Sequence, residues 1–319
     1  MKTSESYTTA TTWGIHAATV CPMLPDGRID KDALAAHLRD ICMTPGISGL
    51  LLNGHAGEGA FLTLEERAEV IVTARAQSAE GCFITAGVTA ESTNMAVEEA
   101  RVSKQAGADA LLIFPPNHWA GGVDAQIVCE HHGTIARAVD LPIVLYKAPV
   151  TAGPISYSDE VMTALLMKIE QIIAIKEGSW EVAAYEQTWR LAGRLRPDVS
   201  VLGSGDEHLL TSYLIGSRGS QVSLAAIIPR TIVALHDAVM KQDWQEARAQ
   251  HEALYALSVA IYRDRPAYLA TARLKATLKL LGRIPHDTVR RPMRQLSTIE
   301  YRRLMDAIDV STIALELER

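Results

Sequence analysis

Eight short apolar runs recur through the first 240 residues of the chain, each followed by a stretch of helical period, and this alternation narrows the fold sharply. The runs are IHAATV (15–20), ISGLLLN (47–53), CFITAG (82–87), ADALLIF (108–114), LPIVLY (141–146), IIAIK (172–176), VSVLG (199–203) and GSQVSL (219–224). Runs so continuous in Ile, Val and Leu suit strands buried on both faces, and strand–helix alternation is how a parallel sheet is connected. DKDALAAHLRDIC, TLEERAEVIVTARAQ, NMAVEEARVSKQAG and DAQIVCEHHGTIARAV supply the first helices, with Thr63 and Glu66 spaced as a capping box. Eight such units match the (β/α)8 barrel in count and approach its usual ~250 residues. The competing doubly wound open sheet would carry a GxGxxG after the first strand, and this chain does not. Residues 1–240 are therefore predicted to form a (β/α)8 TIM barrel. From about Asp243 the strand signal stops, and residues 241–319 read as a three-helix C-terminal extension packed on the barrel or on a partner subunit.

Several function classes are disfavoured by the composition. Net charge is −6 and aromatics make up 5% of 319 residues, with Lys and Arg scattered, so no nucleic-acid surface is expected. The N-terminal MKTSESYTTATTWG is polar, and no run reaches the roughly 18 apolar residues of a membrane span, which predicts a cytoplasmic protein with no membrane partner. Cys21, Cys42, Cys82 and Cys129 form no CxxC pair and lie near no His at ligand spacing; they read as reduced core thiols, and no metal site is expected.

Within a barrel of this kind, side chains at the C-terminal ends of the strands face the mouth where chemistry is done. Lys176 ends the sixth run, IIAIKEGSW (172–180). A strand-end lysine can simply extend its ammonium to water. It can also be a Schiff-base nucleophile when an apolar setting, here supplied in part by Ile173 and Ile175, disfavours its charged form. Tyr146 ends the fifth run one βα unit upstream, which predicts that the two side chains stand level on neighbouring strands, the phenol relaying protons beside the amine. After the second strand, NGHAGEGAFLT (53–63) brings three glycines together; it is either an ordinary turn or a nest of amides for a carboxylate, and it lacks the GK[ST] of a phosphate loop.

GHAGE (54–58), LYKAP (145–149), IKEG (175–178), GSGDE (203–207) and GSQVSLAAIIP (219–229), taken in order, resemble the dihydrodipicolinate synthase and N-acetylneuraminate lyase family of class I aldolases over nearly the whole chain. The resemblance implies a homotetrameric barrel in which Lys176 forms an imine with pyruvate or another 2-oxo acid and Tyr146 relays protons, with no cofactor beyond that covalent imine. It places the carboxylate on the loop at His55, Ala56 and Gly57, where two hydroxyl residues are usual, so the backbone amides and the His55 imidazole would have to carry the contact. Thr151 stands where related synthases have an arginine for the aldehyde's carboxylate, and Pro116 and Asn117 stand where a second tyrosine is common. Both departures disfavour 4-hydroxy-tetrahydrodipicolinate synthase activity.

Asp206, Glu207 and Ser223, with Gly205 in the same GSGDE motif, resemble positions that hold polyhydroxylated chains in sugar-acid lyases; Asp206 and Glu207 could equally cap the next helix. His118 and Trp119 could line the same mouth or merely pack. The expected activity is thus a Schiff-base lyase performing aldol cleavage or condensation with pyruvate, or dehydrating a 2-oxo-3-deoxy sugar acid. The synthase reaction and a non-catalytic barrel that binds a sugar acid or amino acid are the alternatives.

Overall fold

A computed structural model describes residues 9–79 and 81–311; the first eight residues of the polar N-terminal segment lie outside them. The eight strands are β1 (Gly14–Ala18), β2 (Ile47–Leu52), β3 (Phe83–Val88), β4 (Ala110–Ile113), β5 (Ile143–Lys147), β6 (Ile172–Glu177), β7 (Ser200–Gly203) and β8 (Gly219–Val222). They close a parallel barrel in chain order, β8 returning to β1. All eight predicted runs are strands, each trimmed or extended by a residue or two.

The helices α1 (Lys31–Cys42), α2 (Leu64–Gln77), α3 (Thr93–Ala106), α4 (Ala125–Val139), α5 (Asp159–Lys168), α6 (Val182–Leu195), α7 (Leu209–Ile215) and α8 (Pro229–Met240) follow the strands in turn. The first five each begin at a side chain that accepts from the third helical amide: Asp30, Thr63, Ser92, Asp124 and Ser158. Such caps hold amides that the helix cannot satisfy itself. At Thr63 the box is reciprocal, Thr63 N donating to Glu66 Oε2 at 2.9 Å.

Alternation along each strand sorts the apolar residues into two layers. Leu51, Leu112, Phe114, Val144, Tyr146, Ala174 and Leu202 fill the barrel, while Leu50, Leu111, Ile113, Leu145 and Ile175 face the helices. One irregularity decides the site. β5 and β6 pair Ile143 with Ile172 but Val144 with Ala174, so Ile173 is an extra residue in β6. This bulge shifts the alternation by one. Beyond it Lys176 shares the inner face with Tyr146, and Ile175 turns outward; Ile173 packs against the inner layer. The apolar setting of Lys176 is therefore Ile173 with the inner residues, and not Ile175.

Among the described residues three α-helices follow α8: α9 (Trp244–Tyr262), α10 (Ala270–Leu280) and α11 (Thr298–Val310), and the last eight residues of the predicted extension lie outside the described residues. Leu254, Leu257, Ile261, Leu269 and Leu274 join the same apolar cluster as the outer barrel layer. Among the described residues no helix is long and apolar enough to cross a membrane.

Candidate active site

Tyr146 and Lys176 are register partners across β5 and β6. The Lys176 ammonium lies 5.9 Å from the Tyr146 ring centroid, and the two residues are only 8% and 7% exposed. Each strand continues one residue further, to Lys147 and Glu177, which face α6; Lys147 Nζ donates to Thr188 Oγ1 there at 2.8 Å. Gly178 then turns the chain directly under the phenol. A Cβ at that position would stand 3.1 Å from Tyr146 Cε2 and 2.9 Å from the Lys147 carbonyl, so a larger residue would displace the ring. Burial lowers the Lys176 pKa to about 8, against the opposing pull of the Asp206 carboxylate. Burial, assisted by the Glu177 charge, raises that of Tyr146. The amine can thus shed its proton near neutrality while the phenol keeps its own, a pairing suited to a nucleophile beside a proton donor.

The loop after β2 rests over this pair. His55 packs on Phe114 with ring centroids 4.4 Å apart and stands edge-on to Tyr146 at 5.5 Å, and Phe114 in turn meets Tyr146 at 4.7 Å. The His55 ring is walled by protein yet open to the mouth; desolvation and the Lys176 charge lower its pKa, which keeps it neutral. The loop's tight path depends on glycine. A Cβ at Gly59 would fall 1.9 Å from the Asn53 carbonyl oxygen, and one at Gly87 of the neighbouring strand 2.5 Å from it. Glu58 N and Gly59 N donate back to the carbonyls of His55 and Gly54, at 3.1 and 3.0 Å. Among the described residues, the amides of Ala56 and Gly57 donate to no protein acceptor.

The C-terminal helices lock this loop from behind. Lys275 of α10 forms an ion pair with Glu58 whose side chains are both 0% exposed. Glu58 Oε2 also accepts from Arg290 N at 2.8 Å, Lys275 Nζ donates to the Thr288 carbonyl at 2.8 Å, and Thr271 Oγ1 donates to the His55 carbonyl at 3.0 Å. Removing one charge leaves the other buried and unpaired. Lys275→Met is therefore expected to destabilise the fold by about 3–5 kcal/mol, and adding Glu58→Gln should recover part of the loss in thermal denaturation. A thermal midpoint unchanged by Lys275→Met would count against a dry pair.

On the opposite wall, Asp206 accepts from the Leu224 amide at 2.8 Å. Burial pushes its carboxyl up to about 7, opposed by that bond and by the Lys176 charge. Tyr262, at the end of α9, places its buried hydroxyl beside Asp206 and Ser223, outside regular hydrogen-bond geometry. Glu207 points away from Lys176: Arg263 Nε donates to its Oε1 at 2.7 Å and His208 Nε2 lies 3.3 Å off. Although burial would raise the pKa of Glu207, His208 and Arg263 together bring it down to about 2. Arg263 in turn lies over Trp180, whose ring is 5.0 Å from that of Tyr262, and Gly205 follows the path beneath Trp180 and His208.

The remaining expected residues are spread around the rim. Asn117 is exposed, its amide and side chain donating to Glu91 at 3.0 and 2.8 Å; His118 bonds the same carboxylate. Trp119 is buried against His131 and His132 in the helical layer, so it packs and does not line the mouth. Thr151 is exposed in the short helical segment Val150–Ser156. The structure thus gathers Lys176, Tyr146, His55 and Asp206, flanked by the Ala56–Gly57 amides and by Ser223. It holds Glu207 in a separate cluster and leaves Asn117 and Thr151 at the surface. Sequence reading missed Tyr262 and Lys275, because nothing in a helical pattern distinguishes a residue that reaches back into a barrel.

The sequence model of the dihydrodipicolinate synthetase family matches residues 11–311. A 4-hydroxy-tetrahydrodipicolinate synthase of Pseudomonas savastanoi pv. phaseolicola is 30% identical over 300 residues, covering 94% of this chain and 98% of its own. An uncharacterised DapA-like lyase of Halobacterium salinarum is 28% identical over 283 residues, covering 89% and 88%. The solved dihydrodipicolinate synthase of Acinetobacter baumannii, chloride-inhibited and complexed with pyruvate, is 26% identical and superposes with a TM-score of 0.82 over 95% of this chain and 99% of its own.

Proposed function

The chain belongs to the dihydrodipicolinate synthetase family of lyases, which react through a lysine imine and need no cofactor, and we propose that its Lys176 forms that imine with pyruvate or a close 2-oxo acid. The observation that carries this reading is the level pairing of a desolvated Lys176 with Tyr146 on β5 and β6. Neutral Lys176 Nζ attacks the ketone carbon, and loss of water leaves a protonated imine. That imine draws electrons from the adjacent carbon, so a proton is lost to give an enamine, which adds to an aldehyde; the reverse sequence cleaves. Tyr146 is the group placed to move protons between the ketone oxygen, the aldehyde oxygen and the mouth. The 2-oxo acid carboxylate rests on the Ala56 and Gly57 amides, with neutral His55 beside it, a contact built from backbone dipoles instead of hydroxyls.

The second partner is proposed to be a hydroxylated aldehyde, or its sugar-acid adduct, because Asp206, Ser223 and Tyr262 form a polar wall opposite the loop. Aspartate semialdehyde is the second reading, favoured by the names of the relatives at 30% identity. The exposed Thr151 speaks against it, since a threonine offers no cation to meet a second carboxylate. Family likeness further supports a cytoplasmic homotetramer, which light scattering on the purified protein tests.

Borohydride reduction after incubation with a panel of 2-oxo acids is the deciding experiment. A reduced pyruvyl group should appear on Lys176, identified by peptide mass spectrometry. Because only the neutral amine attacks, the trapping rate should rise with pH through about 8 and level off above it. An unmodified Lys176 across the panel would overturn the imine and leave the non-catalytic binding barrel. Comparing aspartate semialdehyde with hydroxylated aldehydes as acceptors then separates the two substrate readings.

A further inference from the structure

Cys42 ends α1 and Cys82 immediately precedes β3, well apart in the chain, yet the fold brings their side chains into contact at the edge of the barrel where β3 begins, away from the mouth. Both are half-buried and so within reach of small solutes. Between them lies Ser78, whose hydroxyl donates to the Ala74 carbonyl at 2.6 Å and lies 3.7 Å from Cys42 Sγ. The Cys82 thiol lies close enough to Cys42 and Ser78 for both to favour its thiolate. Its backbone is held on both sides, its amide donating to the Ala79 carbonyl at 3.2 Å and its carbonyl accepting from Arg75 Nη1 at 3.0 Å. Nothing in the imine chemistry uses this cluster.

We propose that Cys42 and Cys82 are a redox pair that hydroperoxides convert into a reversible intramolecular disulfide. The contact makes the two thiols unequal. Accepting the Cys42 hydrogen bond, aided by Arg75, lowers the Cys82 thiol to about 7 against burial and the Asp109 charge, whereas Cys42 is raised by the same bond and by burial. Cys82 is therefore the attacking sulfur. Its thiolate attacks the terminal peroxide oxygen, forming an S–O bond as the O–O bond breaks: the sulfur is oxidised to a sulfenic acid, and the displaced hydroxide or alkoxide takes a proton from water and leaves as water or an alcohol. The Cys42 sulfur then attacks the sulfenic sulfur, the S–O bond breaks, and the departing hydroxide takes the Cys42 proton as water. The cross-link closes a loop of about 40 residues that contains β2, the glycine loop and α2, which restricts the unfolded chain.

The other cysteines act as internal references. Cys21 is buried with its thiol pushed up to about 12, and burial also raises Cys129. After treatment of the intact protein with hydrogen peroxide, digestion without reductant should give one peptide pair linked Cys42 to Cys82, two hydrogens lighter than the reduced pair. Cys21 and Cys129 should still alkylate after denaturation. The thermal midpoint should rise by several degrees and return with dithiothreitol. In Cys42→Ser, peroxide should leave a Cys82 sulfenic acid captured by dimedone. Absence of the linked pair, linkage only between chains, or dimedone capture no greater at Cys82 than at Cys129 would each overturn the proposal.

Discussion

Lys176→Met is expected to abolish both borohydride trapping and turnover, with a loss of roughly 10³-fold or more, because it removes the amine on which the covalent route depends. The same substitution should leave the protein folded and more stable. In the native state Lys176 is held at a pKa of about 8 against 10.5 for an unperturbed amine. A lowered lysine pKa means that the unfolded chain binds the extra proton between those values, so stability rises with pH across that window and the full cost of burying the charge is felt below about pH 8. That cost is on the order of 3 kcal/mol at neutral pH. Methionine keeps the volume and removes the charge. Thermal denaturation at pH 7 should therefore give a midpoint at or above that of the unmodified chain, while activity vanishes. A variant that is inactive and also unfolded would show that Lys176 has a structural role the geometry does not suggest. A variant that still turns over would refute its role as nucleophile.

Tyr146→Phe should separate two steps that Lys176→Met removes together. The ring contacts with His55, Phe114 and Gly178 do not involve the hydroxyl, so phenylalanine should pack in the same place. What disappears is the proton carrier. Turnover is expected to fall by ~10²–10⁴-fold, the usual worth of a positioned acid–base group, while pyruvate still forms a trappable imine, more slowly. Fully retained turnover would exclude Tyr146 as the relay and direct attention to Asp206 or Tyr262 on the opposite wall. Loss of all trapping would instead mean that the phenol is needed for imine formation itself.

The parts of this fold legible in the sequence are those with a local physical cause. The strands declared themselves as apolar runs buried on both faces, and Thr63 with Glu66 declared a helix start, because those signals lie within a few residues of each other. The Tyr146–Lys176 pairing was legible as well, since one βα unit of spacing puts like positions of adjacent strands at one level. What stayed hidden depends on contacts across long stretches of chain. Glu207 and Asp206 are adjacent and acidic in the text, yet Arg263 takes one while the other turns toward Lys176. Lys275 and Tyr262 read as ordinary helical residues, although one fixes the glycine loop and the other completes the polar wall. Ile175 lies next to Lys176 in the chain but on the opposite face of the strand, whereas the bulge brings Ile173 to the inner side.

That extra residue has a further meaning for what the barrel can become. Side-chain direction along a strand is a matter of parity, and Ile173 resets it in the way a frameshift resets a codon. Were β6 to pair regularly from Ile172 onward, with Ile173 opposite Val144, Lys176 would lie level with Lys147 and face α6, two cations beneath a helix, while Glu177 would enter the lumen. The mouth would then hold Ile175 level with Tyr146 and a carboxylate one inner position above it, able to abstract protons but not to form an imine. A slip of one residue in register, with every amino acid of the strand intact, thus stands between two different chemistries on the same scaffold.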